Sequence, residues 1–422
     1  MTPALVACCS KAGLAVIRSL GRRGVPVFGL SYGGGQSGIA SRYLTRSFEV
    51  PDPTDDEAGF VTALLALPKH LHGAVLIPTD DGSLVAISRN ATSLASLYRP
   101  TCEPWSLVRQ LIEKVSTYEI ARAHGIPCPR ILIADSRHDA LEFAREVGYP
   151  CLLKPSVGHL FFKRFRVKML MIRGEQELLS GLDAVLDCGS ELMLSEYIPG
   201  GEECGANYNS FALDGAPFCE FTAHKIRNKP KLIGFPTAVR AKPLPEVSEL
   251  GRQMLAALHL NGFSCMEFKR DARDGGYKLM EVNARANYSG ALASACGIDF
   301  PWLSYCRAIG TSLEPQRAQS SDELCWIDEE RDAPGFAVAM TQGLAAFNAY
   351  RAPYCEPKVF AVFQRDDPRP FARLAAHSTL GAIKRAVTQF PRPQRSGSSA
   401  AINSTQRTTH GHGDLWKSRT HR

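Results

Sequence analysis

The chain has 422 residues, 45% of them hydrophobic and 22% charged, a balance that excludes a highly charged disordered polymer. At about 100 to 200 residues per domain there is room for roughly two to four domains. The formal charge of +7 lies entirely between Lys384 and Arg422, where eight basic residues stand against one acid, Asp414, so the rest of the chain is neutral. That distribution argues against a nucleic-acid-binding surface on the body of the protein. Thirteen cysteines without a repeated C-x-x-C argue against a zinc site or a disulfide framework. The amino terminus lacks the basic start and unbroken apolar core of a signal peptide, and no stretch reaches about 18 apolar residues. The expectation is a cytoplasmic protein off the membrane.

In chain order, ALVACCS, KAG, LAVIRSLGRRG and VPVFGL read as a strand, a small-residue turn at Ser10 to Gly13, an amphipathic helix stopped by Gly24, and a second strand. This is a βαβ unit without a G-x-G-x-x-G fingerprint. A further strand, GAVLIPTDDGSL, puts Thr79, Asp80, Asp81 and Ser83 past its carboxyl end, where open α/β sheets bind ligands, although Asp80 and Ser83 are also good helix caps. The segment EPWSLVRQLIEKVSTYEIARAHGIPCPR predicts one helix running to Gly125. After it come the helix ALEFAREVGYP, the strand CLLKPS and the bulky, irregular run VGHLFFKRFRVKM. They are followed by the helix GEQELLSGLDAVL, the strand ELMLSEYI, a PGGEE turn and a strand pair turning at Asp214 and Gly215. Residues 313 to 383 read as a smaller appended region. The Pro-, Ser-, Thr- and Gly-rich tail has the composition of a disordered segment.

The chemistry gathers at SCMEFKRDARDGGYKLMEVNAR, two alternating runs around a turn that ends in Asp274, Gly275 and Gly276. If residues 270 and 278 pair, Glu267 stands opposite Glu281. Directly opposed side chains have Cβ atoms about 4.5 to 5.5 Å apart. Two carboxylates that close need protonation, a basic neighbour or a cation. Alternation places Asn283 and Arg285 on the face of Glu281. Two carboxylates and an amide form an all-oxygen set suited to Mg²⁺ or Mn²⁺. A solvated acidic hairpin paired by Arg285 or Lys269 is the competing interpretation.

The ordered set EK…GIPCP, YPCLLKPS, SEYIPGGEE, CMEF and MEVNARANYSG resembles the ATP-grasp superfamily of ligases, from about residue 107 to 310. Within it, the chain looks most similar to the uncharacterised carboxylate-amine ligase group. The resemblance implies an α/β and α+β chain: a Rossmann-like pre-ATP-grasp domain over 1–106, a two-subdomain ATP-grasp fold over 107–312, an appended region over 313–386 and a disordered basic tail over 387–422. It implies Mg-ATP as cofactor, with Mn²⁺ the alternative ion, and small-molecule carboxylate and amine substrates. Many relatives are dimers, so a homodimer is a further expectation.

By the same resemblance, Lys114 and Lys154 contact ATP phosphates. Glu196, Tyr197 and Ile198 hold adenine, and Glu203 binds ribose. Glu267, Glu281 and Asn283 hold the metal, and Arg285 steadies the acyl phosphate. One departure stands out: the family's phosphate loop is small and Gly-rich, whereas here it is bulky and basic. Lys168, at its end, is an added phosphate contact, or these cations are solvated charges on a strand. Lys225 and Arg227, in HKIRNKPKLIGFPT, are candidates for the carboxylate substrate, with surface ion pairs the alternative. A non-catalytic ATP-binding regulatory module is the alternative function.

Overall fold

A computed structural model of the chain describes residues 1–33, 36–134, 136–155, 169–186, 192–231, 234–316 and 324–377. Lys168 and nearly all of the bulky run before it, together with the basic tail, lie outside the described residues. Three sheets carry the described chain. The first is wholly parallel, β1 (Ala4–Ala7), β2 (Val27–Ser31), β3 (Leu44–Glu49), β4 (Val75–Pro78) and β5 (Arg99–Pro100), in the order β3-β2-β1-β4-β5. Its central strands are apolar on both faces, and every residue of β1 is fully buried, as a sheet covered on both sides requires.

The second sheet, β6 (Ile131–Ile133), β7 (Cys151–Pro155), β8 (Leu170–Ile172) and β9 (Leu192–Glu196), is antiparallel in the order β6-β9-β7-β8. The helices Arg137–Val147 and Glu175–Leu186 cover one face, packing Ala140, Phe143, Leu178 and Leu182 onto Leu153, Ile172 and Leu194. The third sheet has seven strands in the order β14-β13-β10-β11-β12-β15-β16. Its strands are β10 (Gly205–Leu213), β11 (Ala216–Lys229), β12 (Phe235–Ala241), β13 (Gly262–Arg270), β14 (Tyr277–Asn283), β15 (Cys325–Ile327) and β16 (Lys358–Phe360). The turn between β10 and β11 has Asp214 and Gly215 at φ +52° and +75°, the two left-handed residues that a tight hairpin of this twist needs.

Two features differ from the sequence-based expectation. The single helix expected before Gly125 is two, Trp105–Ile112 and Lys114–Ala123, broken where Glu113 turns extended at φ −82°, ψ 102°. Thr117 Oγ1 donates to the Gln110 carbonyl at 2.8 Å, satisfying a group that the break releases. The break starts the second helix at Lys114, which decides where its amine points. The region after 313 also extends the third sheet: β15 pairs with β12, and β16 runs parallel to β15.

This last segment ties the first sheet to the third. Lys11, just past β1, reaches Asp328 at 2.6 Å, and Arg18 reaches Asp367 at 2.9 Å, with both acids fully buried. Residues 1–377 thereby form one compact unit. Among the described residues no helix is long and apolar enough to cross a membrane.

Candidate active site

A cavity of about 470 Å³ opens where the three sheets meet. The first sheet contributes Cys8, Ser10, Thr79, Asp80 and Asp81 from its carboxyl end, and the second contributes Lys154, Tyr197 and Ile198. The third contributes its polar face, Asn207, Lys225, Glu267, Glu281 and Asn283.

Within the hairpin, Glu267 stands opposite Glu281 and Cys265 opposite Asn283. The register nearer the turn is not the expected one, because Arg270 meets Tyr277. A shift between Glu267 and Phe268 absorbs one extra residue of β14 and restores the carboxylate pair. Each carboxylate has a lysine. Lys114 Nζ donates to Glu281 Oε1 at 2.9 Å, and Lys225 Nζ donates to Glu267 Oε2 at 2.5 Å. Gly205 lets Lys225 lie there, since a Cβ at that position would come within 2.8 Å of the lysine Cδ. The basic partners expected from sequence lie elsewhere: Lys269 sits 4.9 Å over the Tyr197 ring, and Arg285 turns to Asp81 at 2.8 and 3.2 Å.

Electrostatics separate the two lysines expected at phosphate. Burial alone would lower Lys114, but attraction to Glu281, aided by Asp81 and Glu267, outweighs it and holds the amine above its usual range. Lys154 is 3% exposed, and its Nζ is 3.3 Å from Ser195 Oγ. Burial, with repulsion from Lys114, lowers Lys154 to about 7. Burial also opposes the charge of Arg285, but Asp81 more than compensates and raises it.

Sequence reasoning missed Asn207, the register partner of Glu267. It is 2% exposed, and its Oδ1 has no hydrogen-bond partner among the described residues. A buried amide oxygen left unpartnered beside two carboxylates is an unused hard donor. The alternation of Asn207 and Asn209 along β10 was the available signal. The Asp81–Arg285 pair had none, since 204 residues separate its members.

Three expected residues lie off the cavity wall. Glu196 Oε2 accepts from the Arg130 amide at 3.0 Å, while Oε1 pairs with Arg273 at 2.7 Å. Glu203 is exposed, and its neighbour Glu202 lines the cavity instead, accepting from the Asn228 amide at 2.6 Å. Of the two basic residues expected at the carboxylate substrate, Lys225 lines the cavity and Arg227 does not. The pairing of β11 with β12 shifts between Lys225 and Arg227, and the Nε–Nη2 edge of the guanidinium donates to both oxygens of buried Asp332 at 2.9 and 2.7 Å, while Nη1 donates to the Tyr350 carbonyl at 3.1 Å.

No family model matches the chain. The D-aspartate ligase of Enterococcus faecium is 26% identical over 277 residues, 60% of this chain and 63% of its own length. The chain thus spans less than two thirds of that relative. A D-alanine–D-alanine ligase of Pseudomonas fluorescens is 25% identical over 305 residues, covering 69% of this chain and 83% of its own. Among solved structures, the N5-carboxyaminoimidazole synthetase of Staphylococcus aureus superposes with a TM-score of 0.58 at 14% identity, covering 75% of this chain and 80% of its own. The biotin carboxylase domain of the Hydrogenobacter thermophilus 2-oxoglutarate carboxylase, solved with MgADP and bicarbonate, superposes at 0.59 with 18% identity, covering 74% and 71%. The chain is thus similar in sequence to these ligases and shares the ATP-grasp fold of the solved structures, in line with the resemblance carried by its motifs.

Proposed function

We propose that the chain is an ATP-dependent carboxylate-amine ligase. The carrying observation is the opposed pair Glu267 and Glu281, each paired with its own lysine, beside Asn283 and the Asn207 oxygen that lacks a partner among the described residues. Among the described residues no group of three or more His, Cys, Asp or Glu is placed to hold a metal. The fit to a divalent ion therefore rests on amide oxygens completing a two-carboxylate set. Such hard oxygen donors suit Mg²⁺ or Mn²⁺, with Glu267, Glu281 and Asn283 as its holders. When bound, the ion neutralises phosphate charge.

The chain's own groups would do the rest. Lys114 and Lys154 face the nucleotide phosphates, and Tyr197 and Ile198 wall the adenine side. Glu196 shapes that strand through Arg130 and Arg273. Glu202 is better placed for ribose than Glu203. The γ-phosphoryl group passes to the substrate carboxylate, giving an acyl phosphate and ADP. An amine then attacks the acyl carbon, phosphate leaves, and an amide remains. Arg285, fixed by Asp81, stands where negative charge develops, and Lys225 is placed for the carboxylate. The work is positioning and charge stabilisation, so no protein nucleophile is required.

The test is phosphate release from Mg-ATP with pooled amino acids and small carboxylates. Release that requires both a carboxylate and an amine supports the ligase. Nucleotide binding without release under any pairing would favour a regulatory module.

A further inference from the structure

A second cavity of about 40 Å³ lies behind Arg285. Ala12, Ala15 and Val16 of the helix Lys11–Gly21 enclose it with Ile77, Phe263 and Phe300. It shares a wall with the larger cavity, since Ala12, Ala284, Arg285, Ala286 and Asn287 line both. At about 10 to 15 Å³ for each water-sized position, the space holds roughly three such positions. An isopropyl group fits, and a benzyl group does not.

The polar atoms around this space are committed, with one exception. Ser304 Oγ donates to the Phe300 carbonyl at 2.9 Å, and Arg285 is held by Asp81. Asn287, 8% exposed, donates through Nδ2 to Asn209 Oδ1 at 2.8 Å and to Cys265 Sγ at 3.1 Å. Asn209 is itself oriented by its own Nδ2, which donates to the Phe221 carbonyl at 3.5 Å. That network leaves Asn287 Oδ1 buried without a partner among the described residues. A Cβ at Gly290, another residue of the cavity wall, would lie 3.1 Å from this oxygen. The acceptor therefore faces the space that the glycine leaves open. A packing defect would be apolar throughout, whereas a buried unpartnered acceptor calls for a donor.

We propose that this cavity is the side-chain subsite for the carboxylate substrate, an inference that rests on the ligase reading. The substrate class is a 2-amino or 2-hydroxy acid with an aliphatic side chain of about three carbons. Its carboxylate lies beside Arg285, its C2 donor reaches Asn287 Oδ1, and its side chain fills the apolar space.

The test is calorimetric titration of the full chain, saturated with Mg-ADP, using both enantiomers of alanine and valine, together with glycine and phenylalanine. Affinity is expected to rise about fourfold per added carbon from glycine to valine and to fall for phenylalanine. Replacing valine by 3-methylbutanoate, which lacks the donor, should weaken binding by roughly five- to tenfold, and 2-hydroxy-3-methylbutanoate should restore it. Ala15→Leu and, as a second variant, Ser304→Leu fill the space and should abolish the preference for valine over glycine while leaving Mg-ADP affinity unchanged. A flat series in the parent protein, or a preference that survives both variants, would overturn the subsite and leave the ligase reading standing. Failure to bind Mg-ADP at all would overturn both.

Discussion

Replacing Glu281 by glutamine keeps the shape of the hairpin and removes one charge, so it separates a metal-holding role from a structural one. Glu281 accepts from Lys114 at 2.9 Å, with side-chain exposures of 34% and 18%. At an effective dielectric of 20, two unit charges about 4 Å apart attract by roughly 4 kcal/mol. Solvent screening at a partly exposed carboxylate, with the desolvation of the lysine, reduces the net stabilisation to about 1 kcal/mol. Folding should therefore weaken only slightly, with the melting temperature falling by about 2 to 4 °C. Turnover should suffer far more, because a preorganised charge at a phosphoryl-transfer site is worth about 3 to 4 kcal/mol, or roughly 10² to 10³ in kcat. Phosphate release at saturating Mg-ATP and a thermal melt on the same sample measure the two effects. Turnover within threefold of the parent would refute the metal assignment. A melting temperature lowered by more than about 10 °C would make the pair structural.

Lys154, lowered to about 7 by burial and by repulsion from Lys114, should couple nucleotide binding to pH. Phosphate favours the charged amine and raises its pKa on binding. Protons are therefore taken up above pH 7, and affinity declines by up to about tenfold per pH unit towards the bound-state value. Below pH 7 the amine is already charged and the dependence flattens. Calorimetry in buffers of differing ionisation enthalpy checks this, and no proton uptake at pH 8 would contradict it. Arg227→Met should cost about 3 kcal/mol in denaturant unfolding by stranding Asp332, which is fully buried at its side chain. Mg-nucleotide affinity should be unchanged, because Arg227 is off the cavity wall. Asp80→Ala removes the cap that accepts from the Ser83 amide at 2.8 Å and the acceptor of the Tyr32 hydroxyl at 2.6 Å. A loss of about 1 to 2 kcal/mol is expected in the same unfolding assay, and a change under 0.5 kcal/mol would mean that water replaces the cap.

Local signals in the sequence located the parallel βαβ opening, the Asp214–Gly215 turn and the acidic hairpin. Each depends on neighbours within a few residues: a period-two pattern, a left-handed turn pair, a helix stop. The carboxylate pair was legible for the same reason, although its route through a register shift was not. A bulge is decided by how β14 lies against β13 and not by the composition of either strand.

What the sequence by itself determined is a partial inventory: the opening βαβ strands, the strand pair turning at Asp214 and Gly215, and two carboxylates, an amide and an arginine alternating along one hairpin. Tertiary structure decided how those groups are committed. The extended Glu113 breaks a helix so that Lys114 reaches Glu281, 167 residues away. Asp81 crosses from the first sheet to hold Arg285, and Asp332 draws Arg227 out of the site. β10 brings Asn207 beside Glu267 with an oxygen that lacks a partner among the described residues. The physical reason is range. Backbone preference and side-chain alternation act over a few residues, whereas charge pairing and donor satisfaction depend on which distant segments folding brings within about 3 Å of one another.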